Sequence, residues 1–285
     1  MTGLRKWLAS PRSLPCCAYL LVAVSSLALH GQAGAATLSD HNSTIGLDLG
    51  SAAGMTSWAV DSVNQVNQQW FWFRVGSGGP QFDLSHITTT PTVTTFGTKS
   101  LTALYDNPQQ YGVQLTYTLN GQANGSGRSG LNQAITLFNH TSSPLDFHFF
   151  MYSDFVLRGA SQAGNQYVRL GSDGVGDTTA VQSLGNLAPA TNTFVAMDAA
   201  SRVEAALYNQ TLTELNTVNG LALNNNSAAG PGHVTWALEW DFTIAANNSA
   251  QLGMLDNLQV PEPSTAALVL VGLGIAYLRR QRQAR

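Results

Sequence analysis

Cysteine is nearly missing from this chain of 285 residues: Cys16 and Cys17 are the only two, and both lie close to the amino terminus. If an amino-terminal segment containing them is removed, neither a disulfide framework nor a thiolate metal site is available to what remains. Lysine is equally scarce, with Lys6 and Lys99 alone. Between residues 36 and 260, Lys99 and five arginines face fifteen carboxylates, a balance near −9 that the overall net charge of −3 conceals. Nucleic acid and anionic membrane surfaces select for basic faces, so neither is an expected partner. Catalytic signatures are missing too: there is no G-x-S-x-G elbow for a serine hydrolase and no H-E-x-x-H zinc motif. No apolar run reaches the ~20 residues of an ordinary spanning helix.

What is present begins with a leader. Arg5, Lys6 and Arg12 precede an uncharged apolar run from Ala18 to Leu29, followed by Gly31 to Ala35 with Ala33 and Ala35 in A-x-A spacing. Charge, apolar core and small-residue cleavage site, in that order, mark a secretory signal peptide over residues 1–35, cut after Ala35 and handled by the secretion translocon. The cysteines stand before the apolar core rather than behind it, which excludes a lipoprotein signal.

The body, residues 36–260, is dominated by side chains alternating with a period of two, the signature of strands half-buried against a second layer. In "HVTWALEWDFTI", Val234, Trp236, Leu238, Trp240, Phe242 and Ile244 point one way, and Thr235, Ala237, Glu239, Asp241 and Thr243 the other. "YGVQLTYTL" repeats the pattern with Val113, Leu115, Tyr117 and Leu119 inward. "QWFWFRV" and "LDFHFFMYSDFVL" are apolar on both faces and read as central strands. Glycine- and asparagine-rich clusters separate about eleven strand candidates, so the expected fold is mainly β: an antiparallel two-sheet sandwich with at most one short helix. Ala199–Asn216 is the helix candidate, with Asp198 as its N-cap. One domain is the simplest reading; two sandwiches joined near Gly121–Gly130 are the alternative.

Candidate chemistry in the body is sparse. "GSGRSG" (Gly125–Gly130) matches a nucleotide-binding loop by letter, but a strand follows it where a helix is needed, so it reads as a hairpin loop. Asp173 and Asp177 sit in a glycine-rich turn that could face calcium, without the glycine and bidentate glutamate of an EF-hand; no metal or other cofactor is expected. Glu239 and Asp241, two apart on one strand, have the separation of a glycosidase acid pair, as any acidic strand does. His41, His86, His140, His148 and His233 are scattered, with no spacing that brings two imidazoles to one metal. Trp236 and Trp240 share the apolar face and read as core rather than sugar-stacking rings. N-glycosylation sequons at Asn42, Asn124, Asn139, Asn209, Asn225 and Asn247 are what an Asn- and Thr-rich chain produces by chance.

The carboxyl-terminal segment is specific. Pro261, Glu262 and Pro263 precede fourteen uncharged residues, Thr265–Leu278, and then Arg279, Arg280, Arg282 and Arg285. Fourteen residues make a helix of about 21 Å, short for a membrane but workable if the arginines snorkel and the bilayer thins. The arginines predict a cytoplasmic end and place the body outside. The stretch "VPEPSTAALVLVGLGIAYLRRQR" resembles the PEP-CTERM sorting signal in motif, order and position. That resemblance implies passage through the inner membrane of a Gram-negative bacterium and recognition by exosortase, a membrane transpeptidase or protease with a cysteine nucleophile. Processing would fall at or near Pro261–Pro263, often in bacteria that make exopolysaccharide. It also implies that residues 261–285 form a sorting segment with a transmembrane helix, and the body resembles the β-rich ectodomains that carry such signals. The expectation is a non-enzymatic surface or secreted protein, structural or interacting in a polysaccharide matrix. A carbohydrate-binding module or a glycoside hydrolase are the alternatives.

Overall fold

A computed structural model describes residues 30–31, 34–185 and 191–260. In chain order its strands are β1 (His30–Gly31), β2 (Ala35–Asp40), β3 (Ser43–Asp48), β4 (Gly54–Val60), β5 (Val63–Asn64), β6 (Val66–Val75), β7 (Phe82–Asp83), β8 (Thr92–Phe96), β9 (Ser100–Asn107) and β10 (Tyr111–Gly121). They continue as β11 (Arg128–Asn139), β12 (Leu145–Phe155), β13 (Gln166–Ser172), β14 (Thr178–Leu184), β15 (Thr191–Ala196), β16 (Arg202–Leu207), β17 (Ala228–Gly232), β18 (Val234–Ile244) and β19 (Ser249–Gln259). One α-helix, α1 (Gln210–Thr217), lies among them.

Two antiparallel sheets hold these strands. The larger runs β1-β8-β9-β10-β11-β19-β15-β14-β13-β17, and the smaller runs β16-β18-β12-β6-β4-β3-β2, with β5 beside β4 and β7 beside β6. The expected two-layer β architecture is therefore observed. β10 and β11 pair along their length, with Gly121 opposite Ser129, so residues 122–127 form the hairpin end expected of the glycine-rich loop. Val113, Leu115, Tyr117 and Leu119 are buried between the layers, as their alternation predicts. Aromatic contacts close the gap between the sheets: Phe194 lies 5.1 Å from Trp236 and Tyr111 lies 5.4 Å from Phe73, centroid to centroid. Polar groups cross it as well, the Trp58 indole donating to Ser129 Oγ at 3.1 Å.

Two expectations are corrected. Ala199–Asn216 is not one helix: Arg202–Leu207 is strand β16, paired residue by residue with β18, and α1 starts only at Gln210. An alanine-rich edge can be drawn into a sheet when its neighbour supplies a full ladder of partners, which local propensity does not register. The outward set of β18 faces solvent only at its far end, where Asp241 and Thr243 are exposed. Thr235, Ala237 and Glu239 are as buried as the inward residues, because the segment from Tyr208 to Ser227, which includes α1, is bonded over this part of the sheet. Among the described residues no helix is long and apolar enough to cross a membrane. The expected transmembrane helix, the Pro261–Glu262–Pro263 motif and the arginine tail lie outside the described residues, as does most of the leader. Cleavage after Ala35 would remove β1 and the first residue of β2.

Candidate functional site

Three adjacent strands place Arg74 of β6, His148 of β12 and Asp241 of β18 in one lateral row on the outer face of the smaller sheet. The next row adds Glu239 opposite Phe150. Neighbours directly across an antiparallel ladder project to the same side, so Arg74, His148 and the Glu239–Asp241 pair converge although they come from three distant parts of the sequence. His148 Nδ1 and Asp241 Oδ1 are hydrogen-bonded, and Glu239 Oε1 lies 3.9 Å from the same ring nitrogen. The other ring nitrogen, Nε2, is 3.5 Å from Asp146 Oδ2 and has no hydrogen-bond partner.

Glu239 is only 1 % exposed, and its Oε2 accepts from the Leu223 backbone N–H at 2.9 Å. Burial raises its pKa; the Leu223 N–H, Arg74 and His148 oppose the rise, and Asp241 adds to it. Arg74, also buried, donates from Nη1 to the Leu221 carbonyl at 2.8 Å and from Nε to the Gly76 carbonyl at 3.1 Å. Its guanidinium carbon stands 5.7 Å from the centre of the Phe150 ring, a cation–π contact. Burial lowers the Arg74 pKa, and Glu239, Asp241 and Asp146 hold it up. With the Gln81 amide turned to suit its neighbours, its oxygen accepts from Arg74 and from Leu221 N, and its nitrogen donates to Val218 O. The bonds to Val218, Leu221 and Leu223 hold the segment 218–223 against Gln81, Arg74 and Glu239.

His148, Glu239 and Asp241 offer ligand atoms within 4.8 Å of one another, a geometry that could hold a metal ion. The Arg74 charge beside them offsets part of the charge of Glu239, Asp241 and Asp146, which weakens the pull on a metal cation. As an acid pair, Glu239 and Asp241 are brought together as their spacing predicts, but unequally: Asp241 reaches solvent and Glu239 is sealed beneath Leu223.

The remaining candidates stay apart. Asp173 Oδ1 accepts from Val175 N and Asp177 N, closing its own turn between β13 and β14. Each body histidine stands beside an aspartate: His41 with Asp40, His86 with Asp83, His140 with Asp106 and His233 with Asp154. Sequence spacing could not find those partners that come from distant strands. Trp236 and Trp240 are core, as expected, and Trp58, Trp70 and Trp72 are buried with them. The exposed aromatic with a built backing is Tyr208, 54 % exposed and stacked at 4.3 Å on His233, whose Nε2 lies 2.6 Å from Asp154 Oδ1. Burial raises the Asp154 pKa, against the pull of His233.

The fold defines a two-sheet antiparallel β protein. Similar solved structures include a bacterial glucoamylase complexed with acarbose, at TM-score 0.57 and 12 % identity over 87 % of this chain. This chain spans 36 % of that glucoamylase's length. A putative aldose 1-epimerase from Escherichia coli K12 matches at TM-score 0.50 and 9 % identity, covering 79 % of this chain and 99 % of the other. Identities this low show a shared fold alone. No curated protein matches the chain in sequence. The chain carries the PEP-CTERM protein-sorting motif over residues 259–283, which supports an exosortase-sorted extracellular protein, anchored transiently by its carboxyl terminus.

Proposed function

We propose that this is a non-enzymatic protein, handed by its sorting segment to an exosortase-type processing enzyme and delivered to the cell surface, where its β body serves as an interaction component of an extracellular polysaccharide matrix. The observation that carries the delivery is the sorting motif, which begins at the last residue of the final strand, Gln259. Non-enzymatic function is supported by Glu239, whose carboxylate is committed to Leu223 N–H rather than open to a substrate. Mass spectrometry of the mature protein from the surface fraction tests delivery: the expected carboxyl terminus lies at or near Pro261–Pro263, and a chain intact through Arg285 overturns it. Glycan hydrolysis by the purified body that disappears in both Glu239→Gln and Asp241→Asn would instead establish a hydrolase.

The exposed Tyr208 ring favours a second reading, a carbohydrate-binding module. A stacked aromatic with a carboxylate-anchored histidine behind it offers an apolar face for a sugar ring and polar atoms for its hydroxyls. Binding of residues 36–260 on a glycan array that is lost in Tyr208→Ala would support that reading, and flat signals would reject it.

A further inference from the structure

The folded body leaves no spacer before the processing motif. Gln259 pairs with Arg128 on one side and Thr191 on the other, and the Val260 N–H donates to the Gly127 carbonyl at 2.6 Å. Val260 is 9 % exposed. Because the matched sorting motif starts at residue 259, its first two residues belong to the folded domain. Enzymes that act on peptide bonds commonly hold the substrate as an added strand, using its backbone groups. Here β19 is already paired along its length on the β11 side, and from Ala196 through Thr191 on the β15 side. An enzyme acting at or near Pro261–Pro263 therefore meets the surface of the body as it meets the motif.

That surface is shaped. Two rows of outward residues cross the larger sheet at this end: Asn120, Gly130, Asn257 and Thr193 in one, and Arg128, Gln259 and Thr191 in the other. They line a trough of about 530 Å³. Gly130 forms part of its floor, where an added Cβ would meet nothing closer than Asn257 Oδ1 at 3.5 Å. Amides and hydroxyls supply donors and acceptors together, which suits a polypeptide backbone, and Arg128 favours a segment carrying a carboxylate. We propose that this trough seats an extracytoplasmic segment of the processing enzyme, so that the enzyme reads the folded body as well as the Pro-Glu-Pro motif.

The proposal rests on the exosortase reading, and two sets of variants in the full-length chain, co-expressed with its processing enzyme, separate them. Replacing Pro261, Glu262 and Pro263 by alanine tests the sorting reading, which fails if processing is unchanged. Gly130→Gln fills the trough, and a ten-residue Gly/Ser insertion between Val260 and Pro261 detaches it from the motif. Both are expected to slow carboxyl-terminal processing several-fold, with export and thermal unfolding of the body unchanged. Wild-type processing of both would overturn the proposal. So would faster processing of the insertion variant with Gly130→Gln at the wild-type rate, which would make the body a mere obstacle. Normal processing of Gly130→Gln with lost binding to matrix polysaccharide would assign the trough to glycan and equally overturn it.

Discussion

Glu239 shows how a residue with the credentials of a catalyst can be spent on structure. Its carboxylate has a fixed backbone donor, a neighbouring arginine and almost no solvent, the profile of a clasp that holds Leu221–Leu223 to the sheet. Removing it leaves a buried N–H short of a partner and a buried guanidinium short of a nearby counter-charge, so Glu239→Ala should cost about 3 kcal/mol. Glu239→Gln retains a carbonyl oxygen for Leu223 and should cost about 1 kcal/mol. Urea unfolding of both variants checks the ranking; equal stabilities would mean that the clasp contributes nothing. Asn139 makes the same point for modification: its sequon is legible, but the side chain is 1 % exposed and donates to the Ser143, Ile244 and Ala245 carbonyls. Nothing in the letters N-H-T announces that burial.

At the scale of elements, β19 concentrates the unusual physics. Asp256 on this strand is fully buried between the sheets, and its carboxylate accepts only from amides, those of Gln69, Gln133 and Asn192. Burial pushes its pKa up to about 7. A folded-state pKa above the ordinary 3.8 means the folded protein binds this proton more tightly, so the contribution of Asp256 to stability is greatest in acid and is lost as pH rises toward the folded value. Wild type should therefore unfold at lower urea at about pH 8 than at about pH 5, and Asp256→Asn should flatten that difference. Equal slopes in the two proteins would remove Asp256 as the cause. At the start of β4, Gly54 has φ +61° and a Cβ there would lie 2.3 Å from the Trp70 ring. Gly54→Ala should thus cost about 2–4 kcal/mol through backbone strain and overpacking. Calorimetry should read that as a fall of about 2–4 °C for each kcal/mol.

For the whole molecule, the strand pattern was largely readable because alternation is local. "YGVQLTYTL" and "LDFHFFMYSDFVL" became β10 and β12 with the expected burial, while β4 and β14 carried too many small or polar residues to stand out. The candidate site was half readable: Glu239 and Asp241 are two apart, but His148 lies 93 residues from its aspartate and only the β12–β18 ladder joins them. The layers also explain how a chain without body cysteines holds together, since five tryptophans and a continuous aromatic core lie within them. Delivery and body occupy separate parts of the molecule, meeting at Val260.

By itself the amino-acid order determined the two-layer β class and the sorting segment, because both are written in contiguous residues: period-two alternation in one, and a proline motif, apolar run and basic tail in the other. Tertiary structure alone decided which polar groups are buried, which histidine meets which aspartate, and that the folded body reaches residue 260 with a trough beside it. Those outcomes depend on strand partners brought from distant parts of the chain, and a polar side chain can enter a core whenever such partners satisfy it.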